Sequence, residues 1–137
     1  MTAFDTRKAV LAGEYDGALG ELYADLEPAR RRFANALTQF AELFGDREVA
    51  LFSAPGRTEI GGNHTDHQRG AVLAAAVNRD VIAIAAPNSD HIIRVQSKGY
   101  KMDVIDLNLL EPQESERESS PALVRGVAAR FKELGLT

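Results

Sequence analysis

Cysteine is absent from the 137 residues, which excludes disulfides and thiolate metal sites and agrees with a reducing compartment. The segment Met1 to Lys8 lacks the long apolar core of a signal peptide, and no apolar run approaches the ~18 residues that a bilayer span needs. A soluble, cytoplasmic protein without a membrane partner is expected. Clustered positive charge is missing as well. The formal net charge is −4, and the one basic cluster, Arg30-Arg31-Arg32, is explained by a solvated helix face or cap. Phosphate backbones bind to clustered Lys and Arg, so no nucleic-acid partner is expected. The sequence has no Gly-x4-Gly-Lys-Ser/Thr phosphate loop, no repeat and no low-complexity tract.

What is present is one core's worth of apolar residues, 45% of the chain, which predicts a single domain over 1–137. Between two apolar runs lies Ala54-Pro55-Gly56-Arg57-Thr58-Glu59-Ile60-Gly61-Gly62-Asn63-His64-Thr65-Asp66-His67-Gln68-Arg69-Gly70. Four glycines let a backbone take positive φ and approach a ligand closely, and a core would not be built from Arg, Asn, His and Asp. The stretch reads as a ligand-binding loop. His64 and His67 with Asp66 between them raise a zinc reading, but two histidines and no cysteine leave a tetrahedral set incomplete, so no metal site is expected. Asn63-His64-Thr65 matches a glycosylation sequon only by coincidence if the chain is not secreted.

Gly-Arg-Thr-Glu-Ile-Gly-Gly-Asn-His-Thr-Asp-His, residues 56–67, followed by the apolar run 71–77, closely resembles the galactokinase signature. That family lies within the GHMP superfamily of small-molecule kinases. The resemblance covers most of the chain, to about Leu134, and implies an α+β fold. It would be the N-terminal part of the GHMP kinase fold, a mixed or antiparallel sheet with helices on one side, related in shape to the second domain of ribosomal protein S5. It also implies ATP-dependent phosphorylation of galactose, or a related aldose, at the anomeric hydroxyl. The family's glycine-leucine-serine-serine-serine phosphate loop has no counterpart in this sequence, and its catalytic aspartate and sugar-stacking tyrosine lie further on. The chain therefore looks like the N-terminal, sugar-binding part of such an enzyme, inactive alone. ATP and Mg2+ are expected to bind the full-length enzyme and not these residues. The expected partners are a small-molecule sugar and the rest of the same chain.

Carried over residue by residue, the resemblance makes Arg57 the catalytic arginine, placed near the anomeric hydroxyl, and makes Asn63, His64 and Asp66 the substrate-binding residues. The residue chemistry agrees. A guanidinium stabilises negative charge developing on a sugar oxygen and a transferred phosphoryl group, and a carboxylate such as Asp66 can bridge vicinal hydroxyls. Read from the residues alone, Arg57 could instead pin the loop by an ion pair with Glu59, and Asp66 could cap a turn. Two departures stand out. Asn63 occupies the place of the family's usual Glu, which accepts a bond from the sugar's exocyclic hydroxyl, and His67 replaces a common tyrosine. Asn both accepts and donates, which leaves the sugar open between galactose and another aldose. A catalytically silent, sugar-sensing protein of the same fold is the alternative function, and a free-standing binding domain is a third.

Apolar spacing by threes and fours between Ala18 and Phe44 predicts helices. Pro28, tolerated only in a first turn, divides them into a short helix to about Asp25 and a longer one over 28–44, stopped by Gly45. A strand over 48–54 is predicted to end at Pro55-Gly56. Strands over 79–86, 91–97 and 102–107 are predicted to form a meander through the turn Pro87-Asn88-Ser89-Asp90. Residues 108–119, rich in Glu, read as a solvated loop. Ser119-Ser120-Pro121 then starts a helix whose face Leu123, Val124, Val127, Phe131 and Leu134 would line, with Gly135 ending it.

Overall fold

The computed structural model describes residues 1–62 and 71–136. The chain forms two compact units, Met1–Pro87 and Asn88–Thr137. Both combine helices with antiparallel strands, so the α+β class predicted from the sequence holds.

In the first unit, α1 (Ala3–Ala12), α2 (Asp16–Leu22) and α3 (Leu26–Phe44) precede β1 (Ala50–Gly61) and β2 (Leu73–Ala85). Helix α1 is an addition to the helices that apolar spacing predicts. Its signals are its caps: the Thr2 hydroxyl accepts from the Asp5 N–H at 3.3 Å, and Gly13 closes the helix in the left-handed region at φ 86°. Helix α3 matches its prediction, with Pro28 in the first turn behind the Asp25 cap and Gly45 at the end. It buries Ala29, Phe33, Ala34, Leu37, Phe40 and Ala41 on one face. Phe33, Leu37, Phe40 and Ala41 pack with Ala3, Val10 and Leu19, and against Leu51, Ile82 and Ile84 of the hairpin. A side chain the size of Phe33 or Leu37 contributes about 1.5–3 kcal/mol when removed from water. Arg30 ties α3 to α2 through Asp16, Nε to Oδ1 at 2.7 Å, and this bond holds the Asp16 carboxyl below its ordinary value.

Strand β1 does not stop at Pro55-Gly56. It runs to Gly61 and pairs antiparallel with β2, which takes in the apolar run 71–77 from Leu73 onward as well as 79–85. Proline ends a strand only where its missing N–H is needed by a neighbour. Among the described residues both strands of this two-stranded sheet are edges, where proline is tolerated.

In the second unit, β3 (Ile92–Val95) pairs with β4 (Asp103–Asp106), a 3-10 turn follows at Glu114–Glu116, and α4 spans Ser120–Glu133. The three-stranded meander is replaced by two separate two-stranded pairings among the described residues. The turn 87–91 consumes its own polar groups. Asn88 Nδ2 donates to the Ile92 carbonyl at 2.8 Å, Asp90 accepts from the Ile92 N–H at 3.2 Å, and His91 sits at φ 57°. Ile105 is fully buried. Glu116, predicted to be solvated, instead pairs with Arg125, the buried residue of α4. The predicted apolar face of α4 does not line this unit's core: Leu123, Val127, Phe131 and Leu134 are each at least half exposed.

Candidate functional site

The polar stretch singled out in the sequence begins as the second half of β1 and runs on past Gly62. The register of β1 and β2 shifts twice within it, first between Pro55 and Arg57 and again between Glu59 and Gly61, and the first is the larger break. Pro55 faces Asp80, but Arg57 faces Ala76, so residues 77–79 of β2 stand against Gly56 alone. Gly56 is what allows the strands to meet there, since a Cβ would lie 3.1 Å from Val77 Cγ2 and 3.2 Å from the Arg79 carbonyl oxygen. At the other end Gly62, at φ 90°, passes so close to Ala71 that a Cβ would lie 2.5 Å from its carbonyl oxygen.

Beside the break sits a polar cluster drawn from four elements. Asp80 of β2 accepts from the Ser53 hydroxyl of β1 at 2.7 Å, from the Tyr23 phenol that follows α2, and from Arg32 of α3. Arg32 Nη2 also donates to the main-chain carbonyl of Asp80 at 2.8 Å. Arg32 thus holds Asp80 at both its side chain and its main chain. Burial alone would raise the Asp80 carboxyl, but the hydrogen bonds from Arg32, Tyr23 and Ser53 outweigh it and hold the group at about 2. Burial, reinforced by the Asp80 carboxylate, pushes the Tyr23 phenol above its ordinary value. Asp80 is thus an anion at neutral pH, compensated by Arg32.

Among the residues predicted to act on a ligand, Arg57 lies exposed in β1, next to the register break. Among the described residues Arg57 makes no ion pair with Glu59. Asn63, His64 and Asp66, together with His67, lie outside the described residues. No cluster of three or more His, Asp or Glu able to hold a metal occurs among the described residues, and no described helix is long and apolar enough to cross a membrane.

Sequence reasoning missed the Asp80 cluster. The signal it left was Asn78-Arg79-Asp80, three polar residues interrupting an otherwise apolar strand. The partners of Asp80 lie 27 to 57 residues away in the chain, and no spacing rule joins such positions.

Comparison with known proteins adds to this geometry. The galactokinase galactose-binding signature matches residues 38–87, which take in the end of α3, both strands of the hairpin and the stretch between them. The galactokinase of Lactococcus lactis subsp. lactis is 34% identical over 104 residues, which are 74% of this chain and 26% of that protein. The galactokinase of Lactococcus lactis subsp. cremoris is 32% identical over the same length. The chain thus spans about a quarter of the length of the curated relatives it matches. No solved structure matches it.

Proposed function

We propose, from a chain whose resemblance is to the galactokinases over three quarters of its length, that these residues form the N-terminal, sugar-side part of a cytoplasmic sugar kinase. The full-length enzyme transfers the terminal phosphoryl group of ATP to the anomeric hydroxyl of galactose or a related aldose. The observation that carries this reading is the match of the galactose-binding signature to residues 38–87, the hairpin that bears Arg57.

Within the proposal Arg57 stabilises negative charge as it develops on the attacking sugar oxygen. Asp66 accepts from ring hydroxyls, and His64 and Asn63 orient the remaining groups. The sequence has neither a Gly-x4-Gly-Lys-Ser/Thr loop nor the family's glycine-leucine-serine-serine-serine loop. ATP and Mg2+ are accordingly assigned to the rest of the full-length chain, as is completion of the GHMP kinase fold around this part.

The test is an assay of the full-length protein with ATP and a panel of aldoses, run on wild type and on Asn63→Glu. Phosphorylation of one or more aldoses at the anomeric oxygen is the expected result. A change in sugar preference on Asn63→Glu would place that side chain against the exocyclic end of the sugar. Sugar binding without turnover of any aldose would overturn the kinase reading in favour of a sugar-sensing protein of the same fold.

A further inference from the structure

We infer that Asp80 is a positioning residue: clamped by Arg32, Tyr23 and Ser53, it fixes the register break in the hairpin and thereby sets where Arg57 is presented to the sugar. The inference rests on the proposed kinase function and adds a residue that is not among the predicted ligand contacts Arg57, Asn63, His64 and Asp66.

The geometry supports it in three steps. The register is regular from Ala50↔Ala85 to Pro55↔Asp80 and resumes, displaced by two residues, at Arg57↔Ala76. Asp80 is therefore the last residue of β2 held in the first register, and Arg57 is the first residue of β1 held in the second. Two surplus residues in one strand can migrate along a hairpin unless something pins them, because each register satisfies a similar number of ladder bonds. Pro55 itself donates no main-chain bond beside the break. The pin comes from outside the sheet: Arg32 holds both the carboxylate and the main-chain carbonyl of Asp80, and Ser53 and Tyr23 hold the second carboxylate oxygen. All three partners come from elements other than β2, so the break is fixed relative to α3, to β1 and to the segment after α2. A guanidinium that must meet charge formed only in the transition state depends on such preorganisation.

The experiment uses the full-length protein and its best aldose, with Asp80→Asn made alone and in an Arg57→Ala background. Asp80→Asn is expected to lower kcat about tenfold with the sugar KM within about twofold, because the interaction lost belongs to the transition state. In the Arg57→Ala background the further loss should shrink to less than about twofold, since the two residues act as one unit. Tyr23→Phe leaves the Arg32 clamp in place and should reproduce the pattern at about threefold, so the comparison survives if Asp80→Asn folds poorly. Hydrogen exchange should show faster exchange over 55–58 and 76–80 in either variant, with α1 and the first half of α3 unchanged. A loss that multiplies in full with Arg57→Ala, a loss confined to KM, or unchanged exchange in the hairpin would each overturn the inference. Failure of wild type to phosphorylate any aldose would instead defeat the kinase reading, while the exchange measurement still decides whether Asp80 pins the break.

Discussion

The Arg125 guanidinium grips Glu116 with two bonds, Nε to Oε2 at 2.7 Å and Nη2 to Oε1 at 2.5 Å. Its third nitrogen donates to the main-chain carbonyls of Asp106, at 3.2 Å, and Leu109. One side chain of α4 thus fastens the end of β4, the segment after it and the 3-10 turn. This pairing holds the Glu116 carboxyl below its ordinary value.

Replacing Glu116 should therefore damage the second unit more than replacing its neighbour Glu114, whose pair with Arg117 is exposed at 3.4 Å. Glu116→Ala leaves a buried cation short of its acceptors, whereas an exposed pair contributes little. The fall in Tm for Glu116→Ala is expected to be at least about three times that for Glu114→Ala. Equal shifts in thermal melts would show that the Arg125 cluster does not hold this unit together.

Gly61 and Gly62 are adjacent in sequence and opposite in what they tolerate. Gly62 is at φ 90° and in contact with Ala71, whereas nothing lies within 4 Å of a Cβ built on Gly61. Gly62→Ala should cost roughly 1–3 kcal/mol through backbone strain and the close contact. Gly61→Ala should be neutral or stabilising by up to about 1 kcal/mol. Denaturant unfolding of the two variants beside wild type makes the comparison.

Acid stability should carry the signature of Asp80. Its folded value of about 2 lies below the unfolded 3.8, so the unfolded state binds the proton first and stability rises with pH in that window. The contribution is complete above the unfolded value and is lost as pH falls towards 2. Asp80→Asn should flatten the pH dependence of unfolding free energy between about pH 4 and pH 2 by up to one proton. An identical slope in wild type and variant would mean that Arg32 does not compensate this carboxylate.

At the sugar side, Asp66→Asn in the full-length protein should reduce sugar-dependent kcat/KM by about ten- to a hundredfold, because it puts a donor where an acceptor is needed. His67→Ala should change it little. Equal, small effects would return Asp66 to the role of a turn residue.

Much of this was legible in the sequence, for reasons that are local. Helix α3 could be read because its apolar spacing, Pro28 and Gly45 all act within a few residues of one another. Arg57 and the start of the signature stretch could be found because glycines and polar residues replace core residues there. Helix α1 escaped because its evidence lies in the caps Thr2 and Gly13 and not in an apolar stripe. The extent of β1 was misjudged because Pro55-Gly56 reads as a stop signal, whereas in a hairpin whose strands are both edges proline can sit within the strand. Glu116 looked like one more solvated acid until Arg125, nine residues later, was seen to reach back to it.

In both sheets every strand pairs with the one next to it in the chain, β1 with β2 and β3 with β4. The loops to be closed are short, so the entropic cost of forming each hairpin is small and each can assemble early and fast. The slow step in the first unit is then the docking of α3, whose Arg32 must find Asp80 across 48 residues. On that order of events the hairpin forms before its register is locked, and Arg57 acquires a fixed position only when the helix arrives.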